Sequence, residues 1–423
     1  MSNVYSLPPR MPDNDSRPAG FSSIDEIVAE LRAGRMVIIL DDEDRENEGD
    51  FIMAAEHATP EAVAFMIRHS SGILCVAMED ADLERLELPQ MVPNNDEAYR
   101  TAFTISVDYR YGTTTGVSSH DRSATIRALA DPASVPGDFA RPGHIFPLRP
   151  HKGGVLVRAG HTEASVDLCK LAGLRPAGLL CEVMNDDGSM ARREQIEEFA
   201  RRHNLKIGTI ADLIRYRLRN ERSIERIAEH AVETDLGQFR LYAYEDRVHR
   251  GTHIALVHGD LQSKDQSPLV RVHVADTLRD LLGVRTDSNA WTLRAAMERI
   301  AQAGNGVLVI LREQEAASDL HEALRALGPS AAKGSEPPAT RTGTAAAGSP
   351  GAVTAPSHGT SRAAPHSTPP VGAGGQVLRT YGLGAQILKD LGVSRMRVLS
   401  APKQMHGISA FGLEIEAYVG EGS

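Results

Sequence analysis

Apolar residues in the first half of the chain fall in short runs that switch between two periods. Met36–Leu40, rich in Ile and Val, has the length and composition of a buried strand. Ile73–Met78, Thr101–Val107 and the run Gly178–Val183 read the same way. Between them lie helical signatures. Ser22-Ser23 precedes Asp25 and Glu26 in capping-box position, and Thr59-Pro60-Glu61 joins a cap, a first-turn proline and an acid. His120–Leu129, Glu163–Leu171 and Ile210–Leu218 continue the alternation. Strands interleaved with helices predict an α/β domain of α+β type, layered and about 200 residues long.

A charged helical stretch, Arg217–Arg226, leads into a second pattern. Gly237–Tyr244, Ile254–Val257, Leu269–Val274 and Val307–Leu311 read as strands, and Thr292–Gln302 as an amphipathic helix. From Pro329 to Gly375 the chain is mostly Ala, Gly, Pro, Ser and Thr with almost no large apolar residue. Such a segment buries too little surface to offset its ordering entropy, which predicts a disordered linker. A helix near Gly384–Leu391 and strands at Met396–Leu399 and Leu413–Val419 close the pattern. The expected organisation is a disordered tail at 1–21, a first domain at 22–218, and a second mixed α/β domain at 219–328 and 376–423, interrupted by the linker at 329–375.

Composition changes this picture little. The 423 residues are 41% hydrophobic and 24% charged, ordinary for a globular protein. A net charge of -10 disfavours nucleic acid and anionic membranes as partners, since both need a basic face. Cys75, Cys169 and Cys181 form neither a disulfide framework nor a zinc pattern, which fits a reducing cytoplasm. No apolar stretch has the length of a signal peptide or a membrane span.

Chemistry concentrates in two places. Asp41–Asp50 packs seven acids around Arg45, Asn47 and Gly49, directly after the Met36–Leu40 strand. A solvated loop is the common reason for such a run. Its place at the carboxyl end of a buried strand, where open sheets hold ligands, and its mixed charge favour a site. Clustered carboxylates suit Mg²⁺. The second place is Arg158–Thr162, where backbone N–H groups open the helix that follows and form a phosphate cradle beside the Arg158 fork. Thr113–Ser119 offers a similar nest, although an ordinary capped helix explains either one. His144 and His161, each alone, also read as hydrogen-bonded structural histidines. Glu182, an acid on an apolar strand, reads either as a buried ion-pair partner or as an acid/base tuned by burial. The residues by themselves point to metal-assisted chemistry on a small phosphate ester.

The strings DDEDRENEGD (41–50), TAFT (101–104), TTTGVSSHDR (113–122), RPGHIFPLR (141–149), RAGHTEASVDL (158–168) and AGLLCEVMNDDGSMAR (177–192) together resemble 3,4-dihydroxy-2-butanone-4-phosphate synthase over roughly residues 22–216. The resemblance implies a lyase of riboflavin biosynthesis that converts D-ribulose 5-phosphate to 3,4-dihydroxy-2-butanone 4-phosphate and formate. It implies Mg²⁺ or Mn²⁺ held by Glu46 and His161, and substrate contacts from Arg45, Glu46, Asp50, Arg158, Ala159, Gly160, His161, Thr162 and Glu182. It makes His144 and Glu182 the catalytic pair. Ala159 stands where the family commonly has glycine, at a position used through its backbone. A homodimer is also implied.

GQFRLYAYEDRVHRGTHIALVHGD (237–260), PLVRVH (268–273), RTYGLGAQILKDLGV (379–393) and FGLEI (411–415) resemble GTP cyclohydrolase II. Active members of that family hold zinc through three cysteines. Here Asp276 stands near the first position and Arg285-Thr286-Asp287-Ser288-Asn289 replaces the turn that bears the other two. Neither Thr nor Ser replaces a thiolate on zinc. Arg312–Ala317 stands where a glycine-rich segment is usual. The expectation is a degenerate second domain without zinc and without GTP ring opening; a bifunctional enzyme is the alternative, and a non-catalytic scaffold the more distant one.

Overall fold

The computed structural model describes residues 20–261, 266–284, 291–312, 373–400 and 411–420. Residues 1–313 with 370–423 form one compact unit and 314–369 another; every described residue belongs to the first. Most of the expected tail and linker, the Arg285–Asn289 turn and Glu313–Ala317 lie outside the described residues.

The first half builds a mixed sheet from β1 (Val37–Leu40), β2 (Gly49–Ala54), β3 (Cys75–Met78), β4 (Val107–Tyr109), β5 (Phe139–Leu148), β6 (Ala177–Glu182) and β7 (Ile207–Thr209), in the order β4-β5-β3-β6-β2-β1-β7. β1, β2 and β3 are buried at every residue, so both sheet faces must be covered. The covering helices include α1 (Ile24–Arg32), α2 (Pro60–His69), α3 (Asp80–Arg85), α4 (Ser119–Ala130), α5 (His161–Leu171), α6 (Arg193–His203) and α7 (Ile210–Asn220). α1 starts as the sequence predicts: Ser23 and Glu26 form the capping box, and Ile24, Ile27, Val28 and Leu31 make the buried stripe. α5 packs on β6, β2 and β3, which brings its first turn to the centre of the sheet.

Two expectations fail here. Thr101–Val107 is a strand only at its last residue. Thr104 N–H donates to Pro147 O and Ile105 N–H to Pro89 O, so the segment divides its bonds between two partners and makes only isolated bridges. The helix expected over Arg217–Arg226 stops at Asn220, and β8 (Ile224–Thr234) follows. β8 is an edge strand exposed along most of its length, so it lacks the apolar alternation that marks a half-buried strand.

The second half adds another mixed sheet, ordered β14-β13-β11-β12-β10-β9-β8. Its further strands are β9 (Gly237–Asp246), β10 (Thr252–His258), β11 (Leu269–Val274), β12 (Gly306–Leu311), β13 (Arg395–Leu399) and β14 (Glu414–Val419), with helices α8 (Leu293–Ala303) and α9 (Ala373–Asp390). α9 begins three residues inside the expected linker. The whole is the mixed α/β architecture that the sequence predicts. Gln386 of α9 donates to the carbonyls of Leu218 and Glu221 and accepts from the N–H and hydroxyl of Ser223, fixing the end of α7. Among the described residues, no helix is long and apolar enough to cross a membrane.

Candidate active site

The acidic run is the loop of an antiparallel hairpin. Leu40 pairs with Gly49 and Ile39 with Asp50, so the run leaves β1 and re-enters the sheet as β2. That differs from a parallel-strand crossover, yet it still hangs the acids over the sheet end. Repulsion within the loop is offset by Asp41, whose side chain is fully buried. Its oxygens accept from the N–H groups of Glu46 and Glu48 and from the Arg45 guanidinium. Arg192 adds donors to the carbonyls of Glu46 and Asn47. The Arg45 guanidinium lies 5.2 Å from the Tyr99 ring centre and 2.9 Å from the Glu46 carboxylate.

The first turn of α5 faces this loop. Gly160 is the N-cap and His161 the first helical residue, two positions earlier than the sequence predicts. The buried His161 ring places Nε2 3.1 Å from the Ile39 carbonyl. A carbonyl only accepts, so Nε2 carries a proton and Nδ1 is the ring nitrogen turned toward the acids. Nδ1 lies 3.7 Å from Glu46 Oε2 and 3.6 Å from Asp50 Oδ1. Among the described residues, Asp41, Glu46 and His161 bring three ligand atoms within 4.8 Å of one another. Asp50 Oδ1 is buried with no hydrogen-bond partner. Carboxylate oxygens with one imidazole, a carbonyl fixing the ring from behind and an unpartnered buried oxygen alongside fit a hard divalent cation.

Electrostatics agree. Burial alone would raise Glu46, but His161 and Arg45 outweigh it and hold the carboxyl down at about 2. Burial pushes Asp50 up to about 8, with Glu182 and Glu46 adding to the shift against His161. Burial opposes charge on His161 too, but Asp50, Glu46 and Asp41 prevail and raise it to about 9. Protons shared in such a cluster are those a cation displaces.

Beside it, Arg158 donates to Glu163 at 2.8 Å and to Tyr99 O and Thr101 Oγ1. A Cβ on Gly160 would lie 2.4 Å from an Arg158 nitrogen, so glycine leaves the space the guanidinium uses. The turn Ala159–Thr162 thus stands at the helix N-terminus with the Arg158 guanidinium beside it, and its Gly160 N–H already donates to Arg158 O. The nest at Thr113–Ser119 is different. Asp121 accepts there from Thr114 N–H, Thr114 hydroxyl and Gly116 N–H, so the chain fills that nest itself.

Glu182 pairs with Asp50 across β6 and β2 and accepts from the Ser71 hydroxyl. Cys75 pairs with Leu180 on one side and Phe146 on the other. Beyond Cys75 that register breaks: Ser71 N–H donates to Glu182 O and Ser70 bridges Val183. His144 lies on β5, the strand beyond β3 from Glu182. Its ring is half exposed and bound to Asp108, 2.7 Å away. Sequence reading passed over Asp41, Ser71, Tyr99 and Asp108. Asp41 heads the acidic run, which was its signal; Asp108 falls on the polar side of the Phe103–Tyr109 alternation and carried none. In the second half, Asp276 caps the turn Thr277–Leu281 through Arg279 N–H.

Comparison with known proteins gives matches over both halves. Residues 25–216 match the family model of 3,4-dihydroxy-2-butanone 4-phosphate synthase, and 225–339 with 372–420 that of GTP cyclohydrolase II. A 3,4-dihydroxy-2-butanone 4-phosphate synthase of Pseudomonas aeruginosa is 45% identical over 94% of this chain and 98% of its own length. A bifunctional riboflavin biosynthesis protein of Arabidopsis thaliana is also 45% identical, over 94% of this chain and 68% of its own. Among solved structures, a two-domain 3,4-dihydroxy-2-butanone 4-phosphate synthase from A. baumannii is 38% identical with a TM-score of 0.73, covering 95% of this chain and all of that one.

Proposed function

The chain belongs to the 3,4-dihydroxy-2-butanone 4-phosphate synthase family and is an enzyme of that activity, and we propose that it releases formate from D-ribulose 5-phosphate at the Glu46–His161 site. The observation that carries the site is the convergence of Glu46, His161 and the unpartnered Asp50 oxygen on one point at the head of α5. Glu46 and His161 hold Mg²⁺ or Mn²⁺, with Asp41 fixing the loop behind them. When bound, the ion polarises the sugar carbonyl and stabilises the negative charge that develops on it.

The chain's own groups do the rest. The turn Ala159–Thr162 and the Arg158 guanidinium bind the phosphate. Arg45, steadied on Tyr99, faces the same end of the substrate. Asp50, beside the ion site, hydrogen-bonds a substrate hydroxyl, and Glu182 exchanges protons with the carbons next to the carbonyl. His144 serves as a second acid/base. The enzyme acts as a homodimer in the cytoplasm, with no nucleic-acid or membrane partner.

For the second domain we propose loss of the cyclohydrolase reaction. The support is chemical: residues 220–423 contain no cysteine, and three thiolates are what the resemblance requires for zinc. The full-length match to a relative named only as a synthase agrees. The test is to incubate the purified chain with D-ribulose 5-phosphate and Mg²⁺ and to quantify formate and the four-carbon phosphate. Stoichiometric products abolished by EDTA support the reading; absent or EDTA-insensitive formate refutes it.

A further inference from the structure

His144 does not stand alone. Asp108 is the first residue past the register shift between β4 and β5, and its carboxylate is spent on one neighbour. Oδ1 accepts the His144 backbone N–H at 2.9 Å, and Oδ2 lies 2.7 Å from Nδ1 of the same residue. The Asp108 side chain is 14% exposed, whereas the His144 ring is 47% exposed, so the acid sits behind the imidazole and the ring faces outward.

The packing around this pair leaves little freedom. A Cβ on Gly143 would lie 2.0 Å from the Val107 carbonyl carbon, so the two strands touch here at a distance only glycine permits. A Cβ on Gly116 would meet Asp108 Oδ2 at 2.1 Å and His144 Nδ1 at 2.8 Å. Gly116 has φ +84° and is held by its N–H bond to buried Asp121. The Thr113–Ser118 turn therefore presses on the carboxylate–imidazole contact from one side, and Asp121 holds the turn in place. This gives the self-filled nest of Thr113–Ser119 a purpose that phosphate binding does not.

We infer that Asp108 is the positioning residue for His144: it accepts a hydrogen bond from Nδ1–H, fixes the ring, and leaves Nε2 as the acid/base atom facing the substrate. The inference rests on the reading of His144 as a catalytic residue. A carboxylate behind an imidazole selects one tautomer and stabilises the protonated ring when it forms. It needs no contact with substrate itself. Asn at this position keeps the shape but presents a donor as readily as an acceptor, so tautomer and charge stabilisation are both lost.

The experiment combines kinetics with ¹⁵N-histidine NMR on the full chain. Asp108→Asn is expected to lower kcat for formate release by about 10²–10⁴-fold with KM nearly unchanged. Asp108→Glu should restore much of that loss. Asp108→Asn combined with His144→Ala should be no slower than His144→Ala alone, because the acid acts only through the ring. In the wild type, the His144 shifts should report a proton on Nδ1, and in Asp108→Asn a move toward Nε2–H. An inactive His144→Ala beside a fully active Asp108→Asn overturns the role of Asp108 alone. A fully active His144→Ala overturns the reading of His144 and this inference together. Should Asp108→Asn fail to fold, the wild-type spectrum still decides: a proton on Nε2 overturns the assignment.

Discussion

At the scale of single residues, the chain uses its acids for three different ends. Glu46 is held down at about 2 beside His161 and Arg45, burial pushes Asp50 up to about 8, and Asp41 folds the loop. Identical side chains acquire these roles from depth and partners, which a string such as DDEDRENEGD does not display. The sequence therefore locates the site but leaves the division of labour inside it to the structure. Glu46, Asp50, His161 and Arg158 are legible because their neighbours in sequence are unusual. Asp108 is not, since its meaning comes from a strand 36 residues away. Gly160 gives a direct check: Gly160→Ala forces the Arg158 guanidinium aside, so KM for the sugar phosphate should rise about tenfold or more while the fold persists. Asp121 gives another. Its hydrogen bonds with Thr114 and Gly116 hold its pKa near 2, below the usual 3.8. A depressed carboxyl contributes stability above its unfolded pKa and loses it as pH falls through the folded one. Asp121→Asn should therefore lower Tm at pH 7, with the deficit shrinking from about pH 4 towards pH 2 in thermal melts.

At the scale of elements, the legible ones carry local signals. α1 and α2 announce themselves through Ser23 with Glu26 and through Thr59 with Pro60, and β1 through an unbroken apolar run. β8 and the Thr101–Ser106 segment are illegible for one shared reason: their hydrogen-bond partners, and not their own periodicity, decide their state. The α7–β8 corner is the extreme case. Gln386 on α9, more than 160 residues away, satisfies four backbone and hydroxyl groups there. Removing it leaves the Leu218 and Glu221 carbonyls without those donors. Gln386→Ala should cost about 2 kcal/mol in denaturant unfolding, with little effect on kcat if the first sheet holds its site independently.

At the scale of the whole molecule, one chain carries the candidate site and a second family domain that contains no cysteine. The second domain keeps two mixed-sheet cores, one around Tyr244 and Val309 and one around Trp291 and Ile300, so its fold does not depend on the missing ligands. Metal analysis of the purified chain should find no stoichiometric zinc, and GTP incubation no pyrophosphate; appreciable amounts of both would establish a bifunctional enzyme. Sedimentation should give twice the chain mass of 45.7 kDa.

The central claim is that Glu46 and His161 together hold the ion on which the lyase reaction depends. It is tested most directly by titrating Mg²⁺ into chelated protein and following formate release from D-ribulose 5-phosphate, with Glu46→Gln and His161→Ala in parallel. The predicted result is saturable recovery in the wild type and at least about a 10³-fold lower rate in either variant at every Mg²⁺ concentration. Wild-type rates in either variant, or formate release that ignores Mg²⁺, would contradict it.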